Sequence, residues 1–174
     1  MREDLELILQ EDFSFMERDM TIKDRNQIHN IYQAWVCECA EGWYQLLYGL
    51  CQAITDRYAQ DGIPVDIVPK QIKEKFASLR FYYSFEDTPC ALQAIDFLGG
   101  SSLRFEPYNE NDDTKKKLRH DISQIVRAFE DKSKTICENC GQEGTIRMDM
   151  PWKRTLCDEC YNNYLKKLDE KQKK

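Results

Sequence analysis

The sequence predicts an α+β fold, in which helices pack on a small antiparallel sheet and a cysteine-rich module closes the C-terminus. Apolar residues recur at helical spacing in two long segments of the chain. Between these segments, apolar and polar side chains alternate with a period of two, as they do in half-buried strands. We therefore expect an acidic N-terminal segment at residues 1–22, an α+β core at residues 23–133 and a cysteine module at residues 134–174.

Two helices are expected in the first part of the core. The first would begin after the N-cap residue Asp24 and run to about Cys39, with apolar positions at Ile28, Ile31, Tyr32 and Trp35. The second follows Gly42 and has the longest apolar stripe of the chain, formed by Trp43, Leu46, Leu47, Leu50, Cys51, Ile54 and Tyr58. Gly62 and Pro64 end it, because glycine accepts the left-handed C-cap conformation and proline cannot continue a helix.

Residues 71–85 are predicted to form a β-hairpin that turns near Ala77 and Ser78. Large apolar residues occupy alternate positions of its second half, at Leu79, Phe81 and Tyr83. Ala-Ser is not the Asn-Gly or Asp-Gly pair that two-residue turns prefer. A helix over residues 70–76 is therefore the alternative interpretation.

The elements after the hairpin are a helix, a strand, a loop and a second helix. We expect a short helix from Pro89 to Leu98, an edge strand from Ser101 to Phe105 and an exposed loop from Glu106 to Asp113. The second helix would be capped by Asp112 or Asp113. Its apolar positions are Leu118, Ile122, Ile125, Val126 and Phe129.

Two CxxC pairs, Cys137 with Cys140 and Cys157 with Cys160, are separated by a loop of the length that zinc ribbons and treble clefs use. Two thiolates in one tight turn can face the same ion, and Gly141 lets the chain fold back. Four cysteines leave no open coordination position, so the pattern predicts one structural Zn²⁺ rather than a catalytic ion. Ordinary buried thiols or disulfides are the alternative.

The segments around these pairs have their own periodicity. Residues 145–150 and 152–156 are expected to form a hairpin that turns near Pro151, and residues 158–171 a helix that begins at the second cysteine pair. Four thiolates on one zinc ion carry net negative charge. The nearby cations that could offset it are Arg147, Lys153 and Arg154.

Four further cysteines, Cys37, Cys39, Cys51 and Cys90, lie outside the two pairs. Cys51 belongs to the apolar stripe of the second helix, so we expect it in the core. Cys37 and Cys39 could join His29 in a second metal site. Free cysteine commonly behaves as a small buried hydrophobe, which favours simple burial for this pair.

The sequence contains no phosphate-binding glycine loop, nucleophile elbow or HExxH helix. His29 and His120 are the two histidines, and helix surfaces are the expected place for both. We therefore expect no catalytic residues and a non-enzymatic protein. A hydrolase or nuclease without a recognisable motif is the third hypothesis for function.

The net charge of −6 disfavours non-specific attraction to phosphate backbones, so a protein partner is expected. A nucleic-acid-binding regulator is the second hypothesis. It would use the zinc module and a candidate binding face that mixes cations with an aromatic residue, as readers of single strands do. The residues of this face are Lys73, Lys75, Arg80 and Tyr82.

The sequence also bears on cellular location. No apolar run approaches the length of a bilayer span, and residues 1–20 are acidic, unlike a secretory signal. The cytosol keeps thiols reduced, so eight cysteines in such a chain favour metal ligation over disulfides. We expect a cytoplasmic protein without a membrane partner.

Three motifs carry a resemblance to known proteins: Gly42-Trp43-Tyr44, then residues 71–76 with 79–83, then the CxxCG pair with residues 155–160. Together they resemble a group of small, functionally uncharacterised bacterial and bacteriophage proteins. Ala77 stands where that group usually has glycine, and residues 86–113 look like an insertion. The resemblance implies a phage or mobile-element setting. Combined with the acidic charge, it leads us to expect an inhibitor or modulator of a host or defence protein, acting in the host cytoplasm.

Overall fold

The computed structural model describes residues 1–19, 21, 30–87, 94–96, 102–104 and 113–172. Its helices are α1 (Glu3–Asp12), α2 (Ile31–Trp35), α3 (Tyr44–Asp61), α4 (Asp113–Ser133) and α5 (Asp158–Gln172), with 3₁₀ turns at Ser14–Met16 and Glu41–Trp43. Its strands are β1 (Cys37–Glu38), β2 (Ile67–Lys75), β3 (Ser78–Phe85), β4 (Ala94–Asp96), β5 (Ser102–Arg104), β6 (Thr145–Arg147) and β7 (Arg154–Leu156). This arrangement confirms the predicted α+β fold.

The main sheet has three strands in the order β1-β2-β3. Strands β2 and β3 form the predicted antiparallel hairpin, whereas β1 runs parallel to β2, with Cys37 opposite Ile72. The sheet is therefore mixed, not purely antiparallel. Strands β4 and β5, and strands β6 and β7, form two separate antiparallel pairs that are not hydrogen-bonded into the main sheet.

The hydrophobic core lies between this sheet and the helices. Helix α4 packs against both α3 and β3, and α2 packs against β2. All eight residues of β3 are buried, so both faces of this strand are covered. The largest side chains with no exposed surface include Trp43, Tyr32, Tyr58, Phe81, Leu9 and Met16. Leu9 belongs to α1, so the acidic N-terminal segment contributes to the core.

Side chains of α4 cover the outer edge of β3. The Leu79 N–H donates to the Ser133 hydroxyl (2.8 Å), and the Phe81 N–H donates to the Glu130 carboxylate (2.7 Å). An uncovered strand edge would be a template for pairing with another chain. Helix α4 therefore supplies the partners that a fourth strand would otherwise provide.

Several predicted elements are confirmed. Helix α3 has the predicted apolar face and ends at Gly62, whose φ of 64° is the expected left-handed cap. Helices α4 and α5 and the β6–β7 hairpin also form where the periodicity predicts them. The β2–β3 hairpin turns at Phe76 and Ala77, which excludes the alternative helix over residues 70–76.

The prediction of a helix running to Cys39 is wrong. Helix α2 ends at Trp35, Val36 takes a φ of 52°, and β1 begins at Cys37. The side chain of Asn30 caps α2 by accepting from the N–H groups of its first turn. The predicted cap, Asp24, lies outside the described residues.

The predicted helix from Pro89 to Leu98 is also wrong over its described part, because residues 94–96 form strand β4. Its partner β5 confirms the edge strand expected between Ser101 and Phe105. The loop expected over residues 106–112 lies outside the described residues. Within the described residues, no helix is both long enough and apolar enough to cross a bilayer.

Candidate metal centre

The four predicted ligands come together in space. The sulfur atoms of Cys137, Cys140, Cys157 and Cys160 all lie within 4.8 Å of one another. The Cys140 and Cys157 sulfurs are 3.6 Å apart. The four cysteines of this cluster are positioned to bind a metal ion, and no other group of three or more potential ligands meets that spacing among the described residues.

Two turns present the four sulfurs. In the first, the Gly141 N–H donates to the Cys137 carbonyl oxygen (2.9 Å), and Gly141 has a φ of 77°. In the second, Cys157 follows β7 directly and Cys160 lies in the first turn of α5. The Cys160 N–H donates to the Cys157 sulfur (3.4 Å), as expected for a thiolate at a helix N-terminus.

Backbone N–H groups prepare one of the sulfurs for metal binding. Burial acts to raise the pKa of the Cys137 thiol, but the N–H groups of Cys157, Cys140 and Asn139 outweigh it and lower the pKa to about 7. The pKa of Cys160 is raised, first by burial and then by the neighbouring thiols. A bound cation would offset this repulsion and allow all four thiols to ionise.

The predicted role of the nearby cations is only partly supported. Arg147 pairs with Asp158, and its guanidinium lies over the ring of Tyr161 (4.7 Å). Arg154 pairs with the buried carboxylate of Glu138 (3.0 Å). These two arginines are thus engaged by carboxylates, and the backbone N–H groups provide the direct contacts to the sulfurs.

The cysteine module is joined to the core at Gly42. The Gly42 N–H donates to the Glu138 carbonyl oxygen (2.8 Å), and a Cβ at this position would lie 2.4 Å from the backbone oxygens of Cys137 and Glu138. The Trp43 indole donates to the Ile136 carbonyl oxygen (2.9 Å). In the sequence, Gly42 stands between two predicted helices and in one motif of the resemblance. Its proximity to the first cysteine pair could not be read from local pattern.

Glu138 links the first cysteine pair to strand β7. Its backbone N–H donates to the Thr155 carbonyl oxygen (2.9 Å), and its carboxylate accepts the Thr155 N–H (2.7 Å). The Thr155 hydroxyl then donates to the Ala77 carbonyl oxygen in the β2–β3 turn (2.9 Å). A continuous hydrogen-bonded path therefore runs from a residue between two ligands to the main sheet.

A second contact with the same turn comes from Trp152. Its indole N–H donates to the Glu74 carboxylate (2.8 Å), and its ring stacks on Phe76 with the centroids 6.5 Å apart. Trp152 is nevertheless 57% exposed, and Met148 is 65% exposed. Ile146 lies opposite Thr155 in the β6–β7 register, so it shares the face of that hairpin that approaches the turn. We call Phe76, Ile146, Met148 and Trp152 the Trp152 surface.

The residues of the predicted binding face differ in their exposure. Arg80 and Tyr82 are buried, at 6% and 8% exposure, and so offer little surface to a ligand. Lys73 and Lys75 are half-buried. The Lys73 ammonium lies over the ring of Tyr82 (5.4 Å), and that of Lys75 lies over Phe76 (5.5 Å). Only Lys75 borders the Trp152 surface directly.

The other described cysteines are buried thiols. Cys51 is fully buried in the core, as predicted. Burial raises the pKa of the Cys37 thiol and raises that of Cys39 to about 12. Neither belongs to a metal-binding group among the described residues, and the other proposed ligand, His29, lies outside them, as does Cys90.

Comparisons with known proteins add no relative on which a function could be based. No protein-family model matches the chain. Searches of curated proteins and of solved structures find no match either. The cysteine cluster and the surface next to it are therefore the features that bear on function.

Proposed function

We propose that this protein is a non-enzymatic, zinc-containing binding protein that docks another protein on the Trp152 surface and so inhibits or modulates it. The observation that carries the proposal is the direct support of that surface by the cysteine module. Met148 and Trp152 lie in the segment that connects the paired strands β6 and β7 of this module, and both side chains remain largely exposed.

Zinc is the metal that this donor set favours. Four thiolates in a tetrahedral arrangement are typical of structural zinc sites, with Zn–S distances of about 2.3 Å. Sulfurs at that distance from a central ion are separated by roughly 3.8 Å in a regular tetrahedron. The 3.6 Å between Cys140 and Cys157 is close to this value. Four cysteines fill the coordination sphere, so the ion would have a structural role.

The Trp152 surface has the composition of a protein-binding site. Tryptophan and methionine are enriched in the centres of protein interfaces, and tryptophan is among the commonest energetic hot spots. The contacts to Glu74 and Phe76 hold the indole in place before a partner arrives, which lowers the entropic cost of binding. The ammonium of Lys75 at its border favours a partner segment that flanks an apolar anchor with carboxylates.

The resemblance noted above suggests where the partner would be found. A phage or mobile-element setting would make it a host or defence protein in the bacterial cytoplasm. The experiment is therefore a pull-down from bacterial lysate with the full chain, followed by mass spectrometry.

The pull-down needs matched variants. We expect a stoichiometric partner to be retained by the wild type and by Leu7→Ala, since Leu7 is 52% exposed on α1 but is not part of the Trp152 surface. Trp152→Ala and Met148→Ala should lose that partner. If all four proteins retain the same set of proteins, or none retains a stoichiometric one, the proposal fails.

A nucleic-acid-binding regulator is the second candidate function. One observation favours it: Lys75, Phe76 and Trp152 form a cation–ring–ring stack of the kind on which single-stranded bases pack. A gel shift with a single-stranded oligonucleotide at low salt tests it. Binding that is lost in Lys75→Ala and at higher salt would support this candidate, and absence of a shift would remove it.

A further inference from the structure

The β2–β3 turn has an unfavourable backbone conformation for its residues. Phe76 and Ala77 have φ values of 53° and 59°. A two-residue turn with both φ values positive is the type I′ turn, which strongly prefers asparagine and glycine. Residues with a Cβ adopt this left-handed conformation at an energetic cost. The turn must therefore be held by contacts from elsewhere in the molecule.

The cysteine module supplies contacts that hold it. The Thr155 hydroxyl donates to the Ala77 carbonyl oxygen, and Trp152 stacks on Phe76. Glu74 connects these contacts, because one carboxylate oxygen accepts the Ala77 N–H (2.7 Å) and the other accepts the Trp152 indole N–H. Contacts from the β6–β7 hairpin therefore hold the turn in its left-handed conformation.

The β6–β7 hairpin depends in turn on the cysteine cluster. Strand β7 ends one residue before the ligand Cys157, and Thr155 is fixed from both sides of its peptide by Glu138, which lies between the ligands Cys137 and Cys140. The apolar cluster beneath the hairpin is small, with Cys137, Met150 and Leu156 as its buried members. Without a metal ion, little apolar burial remains to keep this module in place.

We propose that metal occupancy of the cysteine cluster gates the Trp152 surface by clamping the Phe76–Ala77 turn. With metal bound, Thr155 and Trp152 hold the turn and the surface is assembled for its partner. When the metal leaves, the clamp is lost, the turn relaxes from its left-handed conformation and Phe76 separates from Trp152. This inference rests on the metal site of the proposed function and adds its regulation.

Hydrogen–deuterium exchange of the full chain, with zinc bound and after chelation, tests the proposal. We expect metal removal to speed exchange of the turn amides, including that of Ala77, by at least tenfold. Amides of helix α3, whose stripe is buried in the main core, should change by less than twofold. Unchanged exchange in the turn of metal-free protein would overturn the proposal.

Two variants separate a clamp from general loosening of the module. Thr155→Val keeps the shape of the side chain but removes the hydroxyl donor, so the zinc-bound variant should show faster turn exchange with its full metal content. Ala77→Gly removes the strain, so chelation should have a smaller effect on its turn. The gating proposal is overturned if Thr155→Val with bound zinc exchanges like the wild type.

The outcomes also separate this proposal from the proposed function. Purified protein without any bound metal would contradict both the proposed function and the gating proposal. If the protein binds zinc and a partner but chelation leaves exchange of the turn amides unchanged, only the gating proposal is contradicted. If chelation speeds exchange of the turn amides but no partner is found, the metal-dependent clamp is supported and the docking role is contradicted.

Discussion

Two backbone corners in the described part of the chain are strained, and they are held in different ways. The first is Val36, a β-branched residue at φ 52° just before β1. The second is the Phe76–Ala77 turn between β2 and β3. A residue with a Cβ held at positive φ costs about 1–3 kcal/mol, so both corners need support from distant parts of the chain.

Helix α1 supports the first corner through the backbone of Cys37. The Glu6 carboxylate accepts the Cys37 N–H (3.0 Å), and the Met1 ammonium donates to the Cys37 carbonyl oxygen (3.0 Å). The second carboxylate oxygen of Glu6 is buried and has no hydrogen-bond partner. Support of the first corner therefore comes from one buried carboxyl group and the Met1 ammonium, whereas support of the second corner comes from the cysteine module.

Local pattern does not decide where this chain is strained. Neither Val36 nor Phe76 belongs to a residue type that favours positive φ, and each takes it because a remote segment fixes the next peptide. Because the two supports share no residue, each can be removed by substitutions that leave the other in place.

The largest effect should come from replacing all four cysteine ligands with serine. Structural zinc sites contribute about 10–16 kcal/mol of apparent binding free energy, so the variant should lose its zinc and the fold of the cysteine module. Nuclear magnetic resonance would show random-coil shifts for residues 137–160. A Cys51→Ser variant is the control, since Cys51 lies in the core away from the cluster and should keep full zinc content. Native shifts in the four-serine variant would contradict the account.

A smaller but still severe effect is expected for Gly42→Ala. The added Cβ would meet backbone oxygens at 2.4 Å, and backbone cannot move as a flexible side chain can. We expect a loss of about 3 kcal/mol or more in the free energy of unfolding, measured by urea denaturation. Gly62→Ala is the matched control. Nothing lies within 4 Å of its Cβ, so only the left-handed backbone cost of about 1 kcal/mol should appear.

Glu6→Gln tests the support of the first corner. Burial raises the pKa of Glu6, and the Cys37 N–H, the Met1 ammonium and Arg18 offset only part of that effect. A raised pKa means that the folded state holds the proton more tightly than the unfolded state. Stability from this group is therefore greatest below the unfolded pKa and is lost as pH rises through the folded pKa.

At neutral and higher pH, Glu6→Gln should consequently be more stable than the wild type by about 1 kcal/mol. Paired urea denaturations between pH 5 and pH 8 would show the advantage of the variant growing with pH. A difference that stays constant over this range would show that Glu6 does not titrate with a raised pKa.

The smallest effect is expected for Ala77→Gly in the zinc-bound protein. Relief of the left-handed strain should be offset in part by the greater freedom of glycine in the unfolded chain, for a net gain of about 0.5 kcal/mol. Thermal unfolding would detect a slightly higher midpoint. A clear loss of stability would mean that the buried Ala77 methyl group contributes more by packing than its backbone conformation costs.

The parts of this fold that were predictable share one property: their signal is local. The apolar stripe of α3 repeats over several turns, and the CxxC pairs carry the ligand geometry in their own spacing. The β2–β3 hairpin was predictable from alternation, but its turn was placed one residue too late. The turn residues Phe76 and Ala77 are fixed by Thr155 and Trp152, which no local pattern connects to them.

The failures have the same origin. The apolar positions that end at Trp35 suggested a helix to Cys39, yet Glu6 and Met1 bind the backbone of Cys37, which pairs with Ile72 in a strand. Strand β4 replaced a predicted helix because β5 pairs with it. Arg80 and Tyr82 resembled an exposed binding face, but every residue of β3 is buried. Tertiary contacts decided each of these positions.

The measurement that tests the central claim most directly is the metal content of the purified full chain, determined by inductively coupled plasma mass spectrometry. The account predicts one zinc per chain, retained through gel filtration and absent from the variant in which Cys137, Cys140, Cys157 and Cys160 are all serine. Less than stoichiometric zinc in freshly purified wild type, or equal zinc in the serine variant, would contradict it.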